Sequence, residues 1–182
     1  YLIHKLFLDY DSNIAALFVN RIIHLGLAMA KKVGFTMSFT DFDLSSDDKK
    51  NIEIMLKTTR TNAQNLIKKY KLKKIKPFPG KTVKETFETK MQHVLAVART
   101  DLAEMIEQGA DENTHLVNSA RAGSGDKTRN IVLMSGFVGQ TSLRGERINF
   151  GYEDRTTTHF EKGDLGPEAH GFISKGYAHG LT

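Results

Sequence analysis

The chain contains no cysteine in its 182 residues. That excludes disulfides and thiolate metal sites, leaves His and carboxylates as the sole candidate zinc ligands, and is compatible with a reducing compartment. No apolar run approaches the roughly 20 residues that cross a bilayer. The opening Tyr1-Leu2-Ile3-His4-Lys5 lacks the basic-then-apolar order of a signal peptide. A soluble chain with no membrane partner is therefore expected. There is no initiator Met and no polar tail at Gly180-Leu181-Thr182, so both ends are expected to be cuts in a longer polypeptide. Internal repeats, a Ser-His-Asp set and any nucleophile motif are missing too, and no catalytic residue is assigned.

What is present suffices for one domain or two small ones: 40% hydrophobic and 26% charged residues. The net charge of +5 and pI near 9.3 permit an anionic partner without requiring one.

Ile14, Leu17, Phe18, Ile22, Leu25 and Met29 recur at three- and four-residue steps. This predicts a helix over 13–32, capped by Asp11 or Ser12 and ended by Gly34. Alternation in Phe35-Thr36-Met37-Ser38-Phe39-Thr40 predicts a short strand. Ser45 to Asp48 starts a second helix, about 47–70, with Ile52, Met55, Leu56, Ala63, Leu66 and Ile67 on one face. The lysine-rich run 68–76 then meets Pro77-Phe78-Pro79-Gly80, which reads as the main linker. Thr82-Val83-Lys84-Glu85 fits a capping box opening a helix whose stripe runs from Val83 to Ile106, with Gly109 as its stop. A short helix around 112–120 is followed by a turn at Ala122 to Asp126.

Of 15 glycines, the 11 at or after Gly123 crowd the last part of the chain. The expected fold is α+β and mainly helical: long amphipathic helices, short strands and a Gly-rich irregular C-terminal third, in segments 1–76, 77–121 and 122–182.

Asp41 and Asp43 could present two carboxylates to one cation, but no third ligand follows, and two acids ending a strand and beginning a turn explain them as well. No metal site is assigned. Six lysines in the nine residues 68–76 suit phosphate contacts, yet they equally suit a solvated helix end. His159, His170 and His179 are too widely spaced to suggest a metal cluster. Gly123-Ser124-Gly125-Asp126-Lys127-Thr128 has the makings of an anion-binding turn without the Walker spacing. Gly139-Gln140-Thr141 and Gly145-Glu146-Arg147-Ile148 hold polar groups at turns, either structural or ligand-facing.

The order of Asn130-Ile131, Val138-Gly139-Gln140, Gly145-Glu146-Arg147-Ile148, Gly151-Tyr152, Asp154-Arg155-Thr156, His159-Phe160, Pro167-Glu168, Gly171-Phe172 and Gly180-Leu181 resembles the largest subunit of archaeal, eukaryotic and related viral multisubunit DNA-directed RNA polymerases. Gly123-Ser124, Lys84 to Glu88 and Gly34-Phe35-Thr36 with Asp41 extend the likeness backward. The resemblance implies a pore and funnel segment lining the secondary channel of a nucleotidyltransferase. The magnesium-binding Asn-Ala-Asp-Phe-Asp-Gly-Asp motif of that family is absent, so Mg ligands would lie outside this chain.

By the same resemblance, Ser124, Lys127 and Arg129 would border the nucleotide channel, and Gly139, Gln140, Thr141, Gly145 and Arg147 the funnel wall. The implied partners are the other polymerase subunits, especially the second-largest, nucleoside triphosphates, the RNA 3' end, transcript-cleavage factors and, indirectly, template DNA. The location would be cytoplasmic for an archaeal or virus-encoded enzyme and nuclear for a cellular eukaryotic one. Gly125 stands where the family has Lys, Thr141 where it has a second Gln, and Thr157-Thr158 where Leu-Pro is commoner. The reading from a different class is an independent helical module that binds nucleic acid or an acidic partner through its lysine-rich linker.

Overall fold

The computed structural model describes residues 1–34, 36–109, 114–123, 129–149 and 151–181. The chain divides into two compact units, Tyr1–Met37 and Ser38–Thr182.

In the first unit, α1 (Leu2–Asp9) packs against α2 (Ser12–Val33). The Asp11 carboxylate accepts from the Ile14 backbone N–H at 2.8 Å, satisfying a donor at the helix start. Lys31 and Lys32 offset the dipole at the other end, and Gly34 closes the helix at φ +74. The helix expected over 13–32 is thus observed. The neighbouring α1 has no side-chain cap to announce it.

The expectation that no segment reaches bilayer-spanning length is corrected by α2. Its 22 residues, about 33 Å of helix, are long and apolar enough to cross a membrane by length and composition. The physical reason is that a span depends on average apolarity, and Arg21 and His24 interrupt the run without abolishing it. Ala15 is the one buried residue of α2, while Leu17, Ile22, Ile23, Leu25, Leu27 and Met29 are exposed.

The second unit begins with another correction: the strand expected over 35–40 does not form among the described residues. Phe39–Phe42 is instead a single 3-10 turn. The Asp41 carboxylate accepts from the Ser38 N–H at 2.9 Å, so a local cap wins over alternation that finds no partner strand. This also gives Asp41 a structural task.

Two antiparallel helices form the body. α3 (Ser46–Lys71) starts on the Ser45 hydroxyl, which accepts from the Asp48 N–H at 3.1 Å. α4 (Val83–Gly109) starts on the predicted capping box: Thr82 N–H donates to Glu85 at 2.7 Å and Glu85 N–H donates to the Thr82 hydroxyl at 3.2 Å. Phe87, Met91, Leu95, Ala98, Leu102 and Ile106 fall on one face of α4 and are buried. Ile52, Thr59 and Ala63 of α3 are buried as well, with Met55, Leu56, Leu66 and Ile67 half-buried on the same core. Each large apolar side chain there contributes roughly 1.5–3 kcal/mol. Ala63, fully buried, leaves room for close helix approach. At one end Tyr70 stacks on Phe87 with centroids 4.5 Å apart. At the other, Gly109 lies beside Asp48.

The connection between α3 and α4, read from sequence as a linker, is tied down. Ile75 is buried, and the Phe78 N–H donates to the hydroxyl of the fully buried Thr86 at 3.0 Å. Beyond α4 come α5 (His115–Arg121) and α6 (Arg129–Ser135). Four two-residue strands follow: β1 (Gly139–Gln140), β2 (Ser142–Leu143), β3 (Glu146–Arg147) and β4 (Phe172–Ile173). β1 pairs antiparallel with β4, and β2 with β3. The architecture is mainly helical with few short strands, as expected. Ile131, Val132, Phe137 and Phe172 join the α3–α4 core.

Gly176 sits where the returning chain crosses the end of α6. A Cβ there would lie 2.5 Å from the Met134 carbonyl and 2.7 Å from that of Gly136. Gly176→Ala is expected to destabilise the fold by about 1–3 kcal/mol, measured as a lower urea midpoint than that of wild type.

The Thr82 backbone N–H, then its hydroxyl, and also Lys81 hold the Glu85 carboxyl below its ordinary range. A depressed carboxylate stabilises the fold above its unfolded pKa and loses that contribution as pH falls through the lowered folded value. The urea midpoint of wild type should therefore exceed that of Glu85→Ala at neutral pH, with the gap closing on acidification through that window.

Candidate functional site

Between β2 and β3 the chain reverses in two residues, Arg144 and Gly145, with φ of +54 and +82. Positive φ at both positions is what the tight hairpin turn matching strand twist requires. The hairpin lies against α4: the Gln92 side-chain amide donates to the Gly145 carbonyl at 2.8 Å.

Arg147, on β3, is only 2% exposed. Its guanidinium meets Glu88 of α4 in a two-pronged pair, Nε to Oε2 at 2.8 Å and Nη2 to Oε1 at 3.0 Å. The Phe87 ring lies 5.9 Å from its centre. The planar fork thus has a carboxylate at its edge and an aromatic ring nearby, the setting in which Arg and Lys are not interchangeable. Glu88 is 33% exposed at its side chain, so the buried partner is the cation.

Gln140, on β1, faces inward. Its amide nitrogen donates to the carbonyls of Thr141 at 2.6 Å and His170 at 2.7 Å. Its carbonyl oxygen is buried without a partner among the described residues. The Thr141 N–H and hydroxyl both donate to the Gly171 carbonyl, at 3.0 and 2.7 Å. Gly171 permits this approach: at φ +91, a Cβ would lie 2.6 Å from the Thr141 hydroxyl. The ring nitrogens of His170 face the carbonyls of Ile148 and Asp164 at 2.7 and 2.9 Å. Arg60 of α3 donates from Nε to Glu168 at 2.8 Å and from Nη2 to Ser174 at 3.2 Å, tying the C-terminal segment to the helical body.

Of these residues, Glu88, Gln92, Gly145, Arg147 and His170 line a cleft of about 1010 Å³ between the first turns of α4 and the 145–170 segment. Lys81, Lys84, Glu85, Asn149, Asp154 and Arg155 line it, so its walls carry both signs of charge. The Nε of Arg155 is buried with no partner among the described residues.

The expected wall residues Gly139, Gln140, Thr141, Gly145 and Arg147 are therefore brought together on β1 and the β2–β3 hairpin. Gln140, Thr141 and Arg147 act there as cross-links within the fold. Arg129 opens α6, while Ser124 and Lys127 lie outside the described residues. Arg60 was not singled out from sequence, His170 was weighed only as a metal ligand, and Glu88 entered only as part of the family likeness. Glu88 had one signal, a place beside buried Phe87 on the core-facing stripe, but nothing in the pattern named its partner. Among the described residues no group of three His, Asp or Glu side chains could hold a metal ion.

The family described as RNA polymerase Rpb1, domain 4, matches residues 64–173. Similar curated proteins include DNA-directed RNA polymerase subunit Rpo1N of Halobacterium salinarum, 36% identical over 168 residues, which cover 92% of this chain and 17% of that protein. The Thermococcus celer subunit of the same name is 34% identical over 174 residues, covering 96% of this chain and 19% of that one. The Halococcus morrhuae one is 34% identical over 174 residues, covering 96% of this chain and 50% of that protein. The chain thus spans from 17% to half of the length of these relatives.

Removing Glu88 strands a buried guanidinium, whereas removing Arg147 leaves a carboxylate that water can reach. Glu88→Ala is expected to lower stability by about 3–5 kcal/mol, and Arg147→Met by clearly less because an apolar side chain suits the buried site. Equal losses by urea denaturation would contradict that asymmetry.

Proposed function

Because the chain belongs to the RNA polymerase Rpb1, domain 4, family, we propose that it is a segment of the largest subunit of a DNA-directed RNA polymerase and forms part of the pore and funnel of its secondary channel. The carrying observation is the family match over residues 64–173, which takes in α4, the β2–β3 hairpin and the Arg147–Glu88 pair. On this reading the chain belongs to a nucleotidyltransferase, and its contribution is positional. Any magnesium of the whole enzyme has its ligands outside this chain. On the same reading, residues 1–76 are a pore and funnel portion, 77–121 the long funnel helix region and 122–182 the Gly-rich pore and funnel segment leading to the bridge helix.

The geometry suits a wall better than a moving part. Gln140 and Thr141 bind backbone carbonyls on the returning strand, and Arg147 is locked to α4. A wall of that kind keeps its shape while nucleoside triphosphates pass inward and a backtracked RNA 3' end passes outward. Lys127 and Arg129 are the cations proposed to border the path. Positive charge there raises the local concentration of a polyanionic substrate. The second-largest subunit and transcript-cleavage factors are the proposed protein partners, template DNA is contacted only indirectly, and the relatives' archaeal sources favour a cytoplasmic enzyme.

The test is the assembled polymerase carrying Lys127→Ala with Arg129→Ala. The KM for nucleoside triphosphate should rise, on the order of tenfold at low salt, with a smaller change in kcat, and intrinsic transcript cleavage should also change. Unaltered kinetics for both reactions would refute a channel role for these cations.

A further inference from the structure

Residues 68 to 76 carry lysines at 68, 69, 71, 73, 74 and 76 and no acid. All six are exposed. Among the described residues none of their side chains makes a hydrogen bond or an ion pair. A block of like charge in a flexible linker would be unremarkable, since it would simply solvate itself. This block is held in one shape. The Lys74 N–H donates to the Lys69 carbonyl and the Lys73 N–H to that of Tyr70, both at 2.9 Å. These two crossed bonds close the end of α3 in the motif that normally has glycine at its left-handed position. Here that position is Lys73, at φ +54, a conformation that costs an L side chain energy glycine would not lose. Beneath it, the Tyr70–Phe87 stack and buried Ile75 fasten the turn to α4.

A lysine kept where glycine fits better, amid five more unpaired lysines on an anchored turn, is an outlier that points to function. We propose that the Lys68–Lys76 turn binds single-stranded nucleic acid through its phosphodiester backbone. Lysine is depleted at protein interfaces, where arginine is preferred, whereas its point charge on a flexible stem suits phosphate contacts. A single strand can bend around a nine-residue turn, and its unstacked bases can lie on Leu72 and Phe78, which are 64% and 42% exposed. A duplex hides its bases and meets such a turn at few phosphates. Tyr70 is committed to Phe87, so no aromatic within the run is free to select a base, and binding is independent of sequence. This assignment stands on the turn itself and does not depend on the polymerase reading.

The test uses the 182-residue chain and fluorescence anisotropy with a labelled 20-nucleotide oligouridylate, a duplex DNA of equal phosphate count and a 20-residue oligoglutamate, each across a salt series. Oligouridylate should bind tightest, with log Kd rising by roughly 0.7 per neutralised phosphate for each tenfold rise in salt. Replacing Lys69, Lys71, Lys73 and Lys74 together by Gln should weaken it at least tenfold and flatten the salt slope. The same number of replacements at Lys31, Lys32, Lys49 and Lys57 should change it less than threefold. Lys73→Gly should raise the urea midpoint yet weaken oligouridylate binding. Absence of binding by wild type, equal loss in the two quadruple variants, or duplex or oligoglutamate binding as tightly as oligouridylate would each overturn the proposal.

Discussion

A guanidinium that is 2% exposed is costly to bury unless a partner answers its charge, and at Arg147 that partner is Glu88. The pair joins positions 59 residues apart in sequence. It fixes the β2–β3 hairpin to the first turns of α4, and through the hairpin it sets one wall of the cleft that α4 shares with the 145–170 segment. Arg60 makes a second, more exposed tie from α3 to Glu168. Surface pairs of that kind contribute little by themselves, so the buried one carries more of the attachment. The Gln140 and Thr141 bonds to the 170–171 backbone complete the lock.

The helical body makes a different sort of demand. α3 and α4 bury a continuous apolar seam, capped at both starts by hydroxyl and carboxylate groups. That seam supplies a stiff base, and stiffness suits both a channel wall and a cationic turn displayed at the seam's end. In the Tyr1–Met37 unit the balance is reversed: α2 has one buried residue and many exposed apolar ones. Its apolar residues have the periodicity of a packed helix, and the chain spans 17% of its Halobacterium relative.

Much of this was legible in the sequence, element by element. The periodicity of Phe87 to Ile106, the Thr82–Glu85 box and the Asp11 cap are local signals, each legible in residue spacing, and the structure follows them. The strand expected at 35–40 failed for the complementary reason. Alternation describes what a strand would look like, but a strand also needs a partner, and Ser38 with Asp41 offered the backbone a nearer one. The lysine-rich linker was legible as charge and as a helix end, but not as an anchored turn, because the Tyr70–Phe87 stack and the Phe78–Thr86 bond join separate elements.

By itself the sequence determined the three long helices and the caps that start them, the absence of thiol chemistry and the family likeness, since all of these are written in residue type and short-range spacing. Only the tertiary structure decided what the polar residues of the Gly139–Arg147 region do. The partners that tie Gln140, Thr141 and Arg147 to other elements include His170, Gly171 and Glu88, 30 to 59 residues away, and a hydrogen bond or ion pair over that separation leaves no mark on local spacing. A polar side chain at a turn looks the same in sequence whether it faces a ligand or holds the fold together. Burial and geometry distinguish the two, and for Arg147 they assign the second role.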